Sequence, residues 1–261
     1  MKEINLLFGK FIRPIPFCCV VIGFLFQIPS KYRLLLTAEM LLALFPLGLP
    51  RNAVAMFWLP FCLLTIPFFK KKNFFVASLF LGLMVIFPFF DNFRYYTGSV
   101  SFDFNFSYLN TMNFDASQEF MAVIKMNIIT LGRQFLGVIF FFIPRTIWPT
   151  KPIGSGAFVA ESQHVFSNIS MPFFAEGFIN FGYLGVLIAV LFLAWFSAKC
   201  DKLFWLNKKS SKNMFAGIYL ILIGSMMFVL RGDLMSAYAY TLGASCSYMV
   251  VYKFTVKKNE K

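Results

Sequence analysis

The sequence predicts an all-α, polytopic membrane protein, and three observations predict it. Of its 261 residues, 59% are hydrophobic and 13% charged, against roughly 45–50% and about 25% in soluble domains. The apolar residues gather into runs near the ~20-residue length of a membrane-crossing helix. The lysines and arginines fall in short clusters between those runs, the pattern of cytoplasmic loops and lipid headgroup contact. The formal net charge of +13 therefore points to membrane lipids. Nucleic acid is not an expected partner, because no basic face with stacking aromatics lies outside the apolar runs.

Taken in order, residues 14–29, 34–49, 53–69 and 74–90 read as four spans, the second carrying Glu39 and the third followed by Lys70, Lys71 and Lys72. Residues 91–118 are polar, aromatic and Asn-rich, with no sustained period. In 119–143, Lys125 and Arg133 interrupt the apolar pattern and leave a clean run of about ten residues, the length of a re-entrant or interfacial helix. Spans resume at 177–196, 214–230 and 234–252, the last two joined by the tight turn Arg231-Gly232-Asp233. Of the five cysteines, Cys18, Cys19, Cys62 and Cys246 lie in apolar runs and Cys200 in a basic loop. None has CxxC spacing or a histidine nearby, so neither a metal site nor a disulfide framework is expected. The first run lacks a small-residue cleavage site before Lys31 and is not read as a removed signal peptide.

Charge sets the expected orientation. Lys199, Lys202, Lys208, Lys209 and Lys212 mark one cytoplasmic loop; Lys253, Lys257, Lys258 and Lys261 mark a cytoplasmic tail; Lys70 to Lys72 mark another cytoplasmic turn. Counting crossings from these places Asp91, the residues before Gly177, and Arg231 to Asp233 outside. About seven spans result, with 1–90 and 176–261 as transmembrane parts and 91–175 as one large external loop domain holding the interfacial or re-entrant helix. The count also puts the N-terminus outside despite Lys2, Lys10 and Arg13. Either the first run does not span, or the chain is the C-terminal part of a longer protein, and the second is the favoured expectation.

Polar chemistry concentrates in 132–185. Arg145 follows Pro144 and precedes Trp148, Pro149, Lys151 and Pro152. Prolines restrict the backbone, so the cationic heads are held, and an arginine fork beside an ammonium suits a phosphate or pyrophosphate. The plainer reading of Trp148 and Arg145 is an interfacial anchor. Arg51, after Pro50, and Arg231 are expected on the same external face, though Arg51 alone could snorkel and Arg231 could pair with Asp233. Glu161 and Glu176 flank a polar segment containing His164, the chain's one histidine. Glu176 opens the most apolar run, where a capping role competes with a catalytic one. His164 titrates near neutrality and could act as a general base or as a loop hydrogen-bonder. HExxH, Walker A and GxSxG are absent, and no metal or other cofactor is expected.

Three segments, FFFIPRTIWPTKPIGSGAF, SNISMPFFAEGFINFGYLGVL and LRGDL, resemble the O-antigen polymerase family over roughly residues 90–235. The resemblance implies a metal-independent polytopic glycosyltransferase of the bacterial inner membrane. It would polymerise undecaprenyl-pyrophosphate-linked oligosaccharide repeat units on the periplasmic face, alongside a chain-length regulator protein. Family members carry several more helices before this region. In that chemistry Arg145, Lys151, Arg51 and Arg231, with Trp148, would bind the pyrophosphates, and Glu176, Glu161 or His164 would sit near the acceptor hydroxyl. Two other readings use the same residues: a transporter or flippase of lipid-linked sugars, and an inactive fragment of a polymerase. O-antigen ligase shares the donor and differs in acceptor.

Overall fold

The computed structural model describes residues 8–46, 49–86, 116–163, 169–207 and 213–256. Regular structure among the described residues is helical throughout, with no strand. The α-helices are α1 (Ile15–Leu25), α2 (Ser30–Ala43), α3 (Arg51–Thr65), α4 (Lys72–Leu81), α5 (Ala116–Met126), α6 (Arg133–Ile139), α7 (Ser155–Gln163), α8 (Phe173–Leu206), α9 (Met214–Arg231) and α10 (Leu234–Val256). Most of the polar stretch 91–118 lies outside the described residues, as do Lys208, Lys209 and Lys212 and the tail from 257.

Proline sets where several helices begin. Pro29, Pro50 and Pro172 each stand at an N-cap in extended conformation, so the chain enters α2, α3 and α8 directly from a proline. The same punctuation shortens the N-terminal half. Among the described residues its four apolar runs carry α-helices of 11, 14, 15 and 10 residues, the last running on into a π-helical turn over Gly82–Ile86, each below the ~20 that cross the hydrocarbon of a bilayer. Among the described residues, two helices are long and apolar enough to cross a membrane, α8 with 34 residues and α9 with 18. The 23 residues of α10 have the length, but Ser236, Thr241, Ser245, Ser247 and four tyrosines dilute its apolar character.

Two cores organise the packing. The larger joins α1, α2, α3, α9 and α10 through Phe17, Cys18, Met40, Phe57, Ile221 and Tyr248. One close contact is at Pro60, which lacks an N–H and so leaves the Met56 carbonyl unpaired within α3. Gly224 of α9 packs on that carbonyl, where a Cβ would lie 2.3 Å from the oxygen. The smaller core joins α5, α7 and the start of α8 through Val123, Val159, Met171, Phe178 and Ile179.

α8 is sharply broken. Phe181 (φ −143°, ψ 22°) and Gly182 (φ 63°, ψ −151°) leave helical space, and the chain bends until a Cβ on Gly177 would lie 2.6 Å from the Gly185 carbonyl oxygen. After the break, residues 183–206 rise about 36 Å by helical geometry. The carbonyls freed at the break are satisfied by the loop between α5 and α6. The Thr130 N–H and hydroxyl donate to Ile179 O at 2.7 and 3.0 Å, and the Gly132 N–H donates to Asn180 O at 3.0 Å. The Asn180 side chain accepts from Phe135 N–H at 2.9 Å, within the first turn of α6. The single interfacial helix expected over 119–143 is therefore two helices. Between them Asn127, Leu131 and Gly132 take positive φ to meet the broken α8.

Candidate functional site

Two buried carboxylates knit together the loop before α7, the start of α8 and the turn between α9 and α10. Glu176, in the first turn of α8 and only 2% exposed, accepts from the Ser155 hydroxyl at 2.7 Å and from the Leu234 N–H at 3.0 Å. Asp233 caps α10, accepting from Ser236 N–H at 2.9 Å, and reaches Gly156 N–H at 3.4 Å. Both acids thus sit at the N-termini of α7 and α10, whose unpaired N–H groups they take up. Gly154 fits here because it has no side chain: a Cβ would lie 2.7 Å from an Asp233 carboxylate oxygen. The Gly154-Ser155-Gly156 loop therefore grips both acids.

This node fixes the end of the cationic loop. Arg145 is exposed, and its Nη1 donates to the Lys151 carbonyl at 2.9 Å. The Lys151 ammonium turns back into the loop and donates to the carbonyls of Phe141 at 2.5 Å and Ile143 at 2.9 Å. Burial pushes Lys151 below the ordinary lysine pKa, and the charges of Arg145 and Lys10 push it the same way. Lys10 comes from the N-terminal π-helical turn and lies 5.4 Å from the Phe141 ring centroid and 5.7 Å from that of Tyr240. Three cations thus converge around Phe141. Trp148 closes the loop through its backbone, donating to Pro144 O at 3.0 Å. Phe142 and Ile147, 66% and 76% exposed, project beside Arg145, so the cluster sits on an apolar-and-cationic surface.

On the other side of Lys151 an open groove of about 470 Å³ runs between α6, α7 and residues 150–153. Arg133, Gln134, Lys151 and Glu161 line it with Phe158, and the Arg133 Nη2 donates to the Thr150 carbonyl at 3.0 Å. The expected site residues thus separate. Arg145, Lys151 and Trp148 share one loop, Glu161 shares a groove with Lys151, and Glu176 is enclosed in the carboxylate node. Arg231 is the last residue of α9, two positions before Asp233. His164 and the Arg51 side chain lie outside what the structure describes, although Arg51 opens α3. Lys10, Gln134, Ser155 and Asn180 were not expected at the site. Ser155 alone carried a local signal, its flanking glycines; the others arrive through contacts distant in sequence.

Compared with protein-family models, with curated proteins and with solved structures, the chain has no match in any of the three.

Proposed function

We propose that the chain is the catalytic region of a metal-independent glycan polymerase of the inner membrane. It would lengthen an undecaprenyl-pyrophosphate-linked oligosaccharide on the periplasmic side. The observation that carries this reading is the cluster of Arg145 and Lys151, on a loop anchored by the Glu176/Asp233 node, with Lys10 from the N-terminal turn. Cleaving a glycosyl–pyrophosphate bond builds negative charge on the leaving group, and fixed cations act where that charge develops. Arg145 spends one donor on the loop and offers its remaining N–H groups outward. Exposed Phe142 and Ile147 beside it suit a polyprenyl donor arriving along the lipid surface.

In this reading about seven helical segments surround the site, the short N-terminal ones by packing on α9 and α10. Glu176, enclosed, positions the loop. Glu161, exposed on the groove, meets the acceptor hydroxyl, with His164 the alternative base. A transporter reading has one observation in its favour, the broken α8, since interrupted helices form transporter sites. Here the freed carbonyls are taken up by Thr130 and Gly132, which argues for a structural break.

The test is lipid-linked polymer length in cells that depend on this chain for polymerisation. Arg145→Ala is expected to cut elongation by about 10²–10³-fold, the usual cost of removing a donor at developing charge. Unchanged long polymer at normal expression would remove Arg145 from the mechanism.

A further inference from the structure

We infer that the groove between α6, α7 and residues 150–153 binds the hydroxyl-bearing face of a saccharide, with Gln134 as the residue that selects it. Its volume, about 470 Å³, falls in the range of small-molecule sites, roughly 300–1,000 Å³. Gln134 lines it and is 3% exposed, yet its Oε1 has no hydrogen-bond partner among the described residues. Folded proteins leave few buried polar atoms unmade, because each is destabilising. A ligand that completes the amide is the simplest reason to keep this one.

The other groups define the ligand. Arg133 already donates to the Thr150 carbonyl, and Lys151 directs its ammonium into the carbonyls of Phe141 and Ile143. The groove thus presents the remaining Arg133 donors beside the Gln134 side chain and the Glu161 carboxylate, and an ionised carboxylate only accepts. A phosphate brings further negative charge, so it would meet the Glu161 carboxylate with repulsion. A hydroxyl donates and accepts. It satisfies Glu161, and it satisfies the amide whichever way the Gln134 oxygen and nitrogen are turned. Phe158 adds an apolar surface for the C–H face of a sugar ring. The groove is therefore a polyol site beside the cation cluster, sharing Lys151 as its boundary. For its biological ligand the assignment rests on the polymerase reading, where the groove holds the acceptor repeat unit; hydroxyl recognition itself does not depend on turnover.

Binding is tested on the full chain in lipid nanodiscs by saturation-transfer NMR. The probes are free neutral disaccharides of hexose, deoxyhexose and N-acetylhexosamine, with inorganic pyrophosphate as competitor. At least one disaccharide is expected to bind, to lose about tenfold in affinity in Gln134→Met, and to weaken in Glu161→Gln. Pyrophosphate is expected to leave the saccharide in place. Gln134→Met should melt no lower than wild type, because it removes an unmade acceptor; a structural glutamine would melt lower. Absence of binding by the whole panel, wild-type affinity in Gln134→Met, or displacement by pyrophosphate would each overturn the proposal. If Gln134→Met does not fold, exposed Glu161→Gln carries the test, and unchanged affinity there overturns it. Saccharide binding without polymerisation in cells would sink the polymerase reading and leave the groove standing. Polymerisation without any saccharide binding would sink the groove alone.

Discussion

Ser155 meets Glu176 across 21 positions of sequence, and the bond is buried at both ends. Ser155→Ala removes a buried hydrogen bond and strips a Glu176 carboxyl oxygen of its partner, so unfolding should come about 1–3 kcal/mol earlier in a denaturant titration in detergent. Lys151 gives a pH signature. Its pKa is lowered, first by burial and then by Arg145 and Lys10, and an anion binds the protonated form. Pyrophosphate affinity should therefore hold at low pH and fall as pH rises through the lowered value, earlier than an ordinary lysine near ~10.4 would impose. Lys151→Arg should flatten that fall, because arginine stays charged. A flat profile in the wild type would show that Lys151 does not face the anion. At this scale the sequence shows local chemistry well. Arg145 and Lys151 read as a held pair because prolines flank them, and Glu176 as an acid at a helix start. Lys10 and Gln134 carried no local signal. Each owes its place to a contact between distant segments, Lys10 with Phe141 and Gln134 with residues 150–153.

The break in α8 shows what one element demands of its neighbours. Gly182 stands at φ 63°, ψ −151°, a region almost closed to side chains, and the nearest atom to a Cβ there is Ile129 Cδ1 at 3.3 Å. Gly182→Ala therefore costs strain more than collision, about 1–3 kcal/mol. Thermal melting of the purified chain checks it, and an unchanged midpoint would mean that α8 straightens freely. The apolar runs at 177–196, 214–230 and 234–252 mark α8, α9 and α10 because apolar length is a local property. The break lies inside the first of these and left no hydropathy signal. The division of 119–143 into α5 and α6 was equally hidden, since it answers carbonyls freed in α8. In the N-terminal half the prolines were visible, but runs read by hydropathy extend through residues whose missing N–H ends or starts a helix.

For the whole molecule, the two cores are linked where α8 packs on α9 and α6 packs on α10. The larger packs glycine against backbone, as Gly224 does on Met56, the close approach that holds helices together in lipid, where release of water contributes little. The smaller carries the carboxylate node, the cation loop and the groove on one side of α8's break. The account therefore requires a single sidedness: the loop with Arg145 and Lys151 at the periplasmic headgroups, and the end of α8 near Asn207 in the cytoplasm. Labelling with a membrane-impermeant maleimide on intact inner membranes tests this most directly, using Thr150→Cys and Asn207→Cys in a background freed of the five native cysteines. The account predicts that position 150 reacts from outside while 207 reacts only after the membrane is opened. The reverse pattern would put the cations in the cytosol, out of reach of a periplasmic donor.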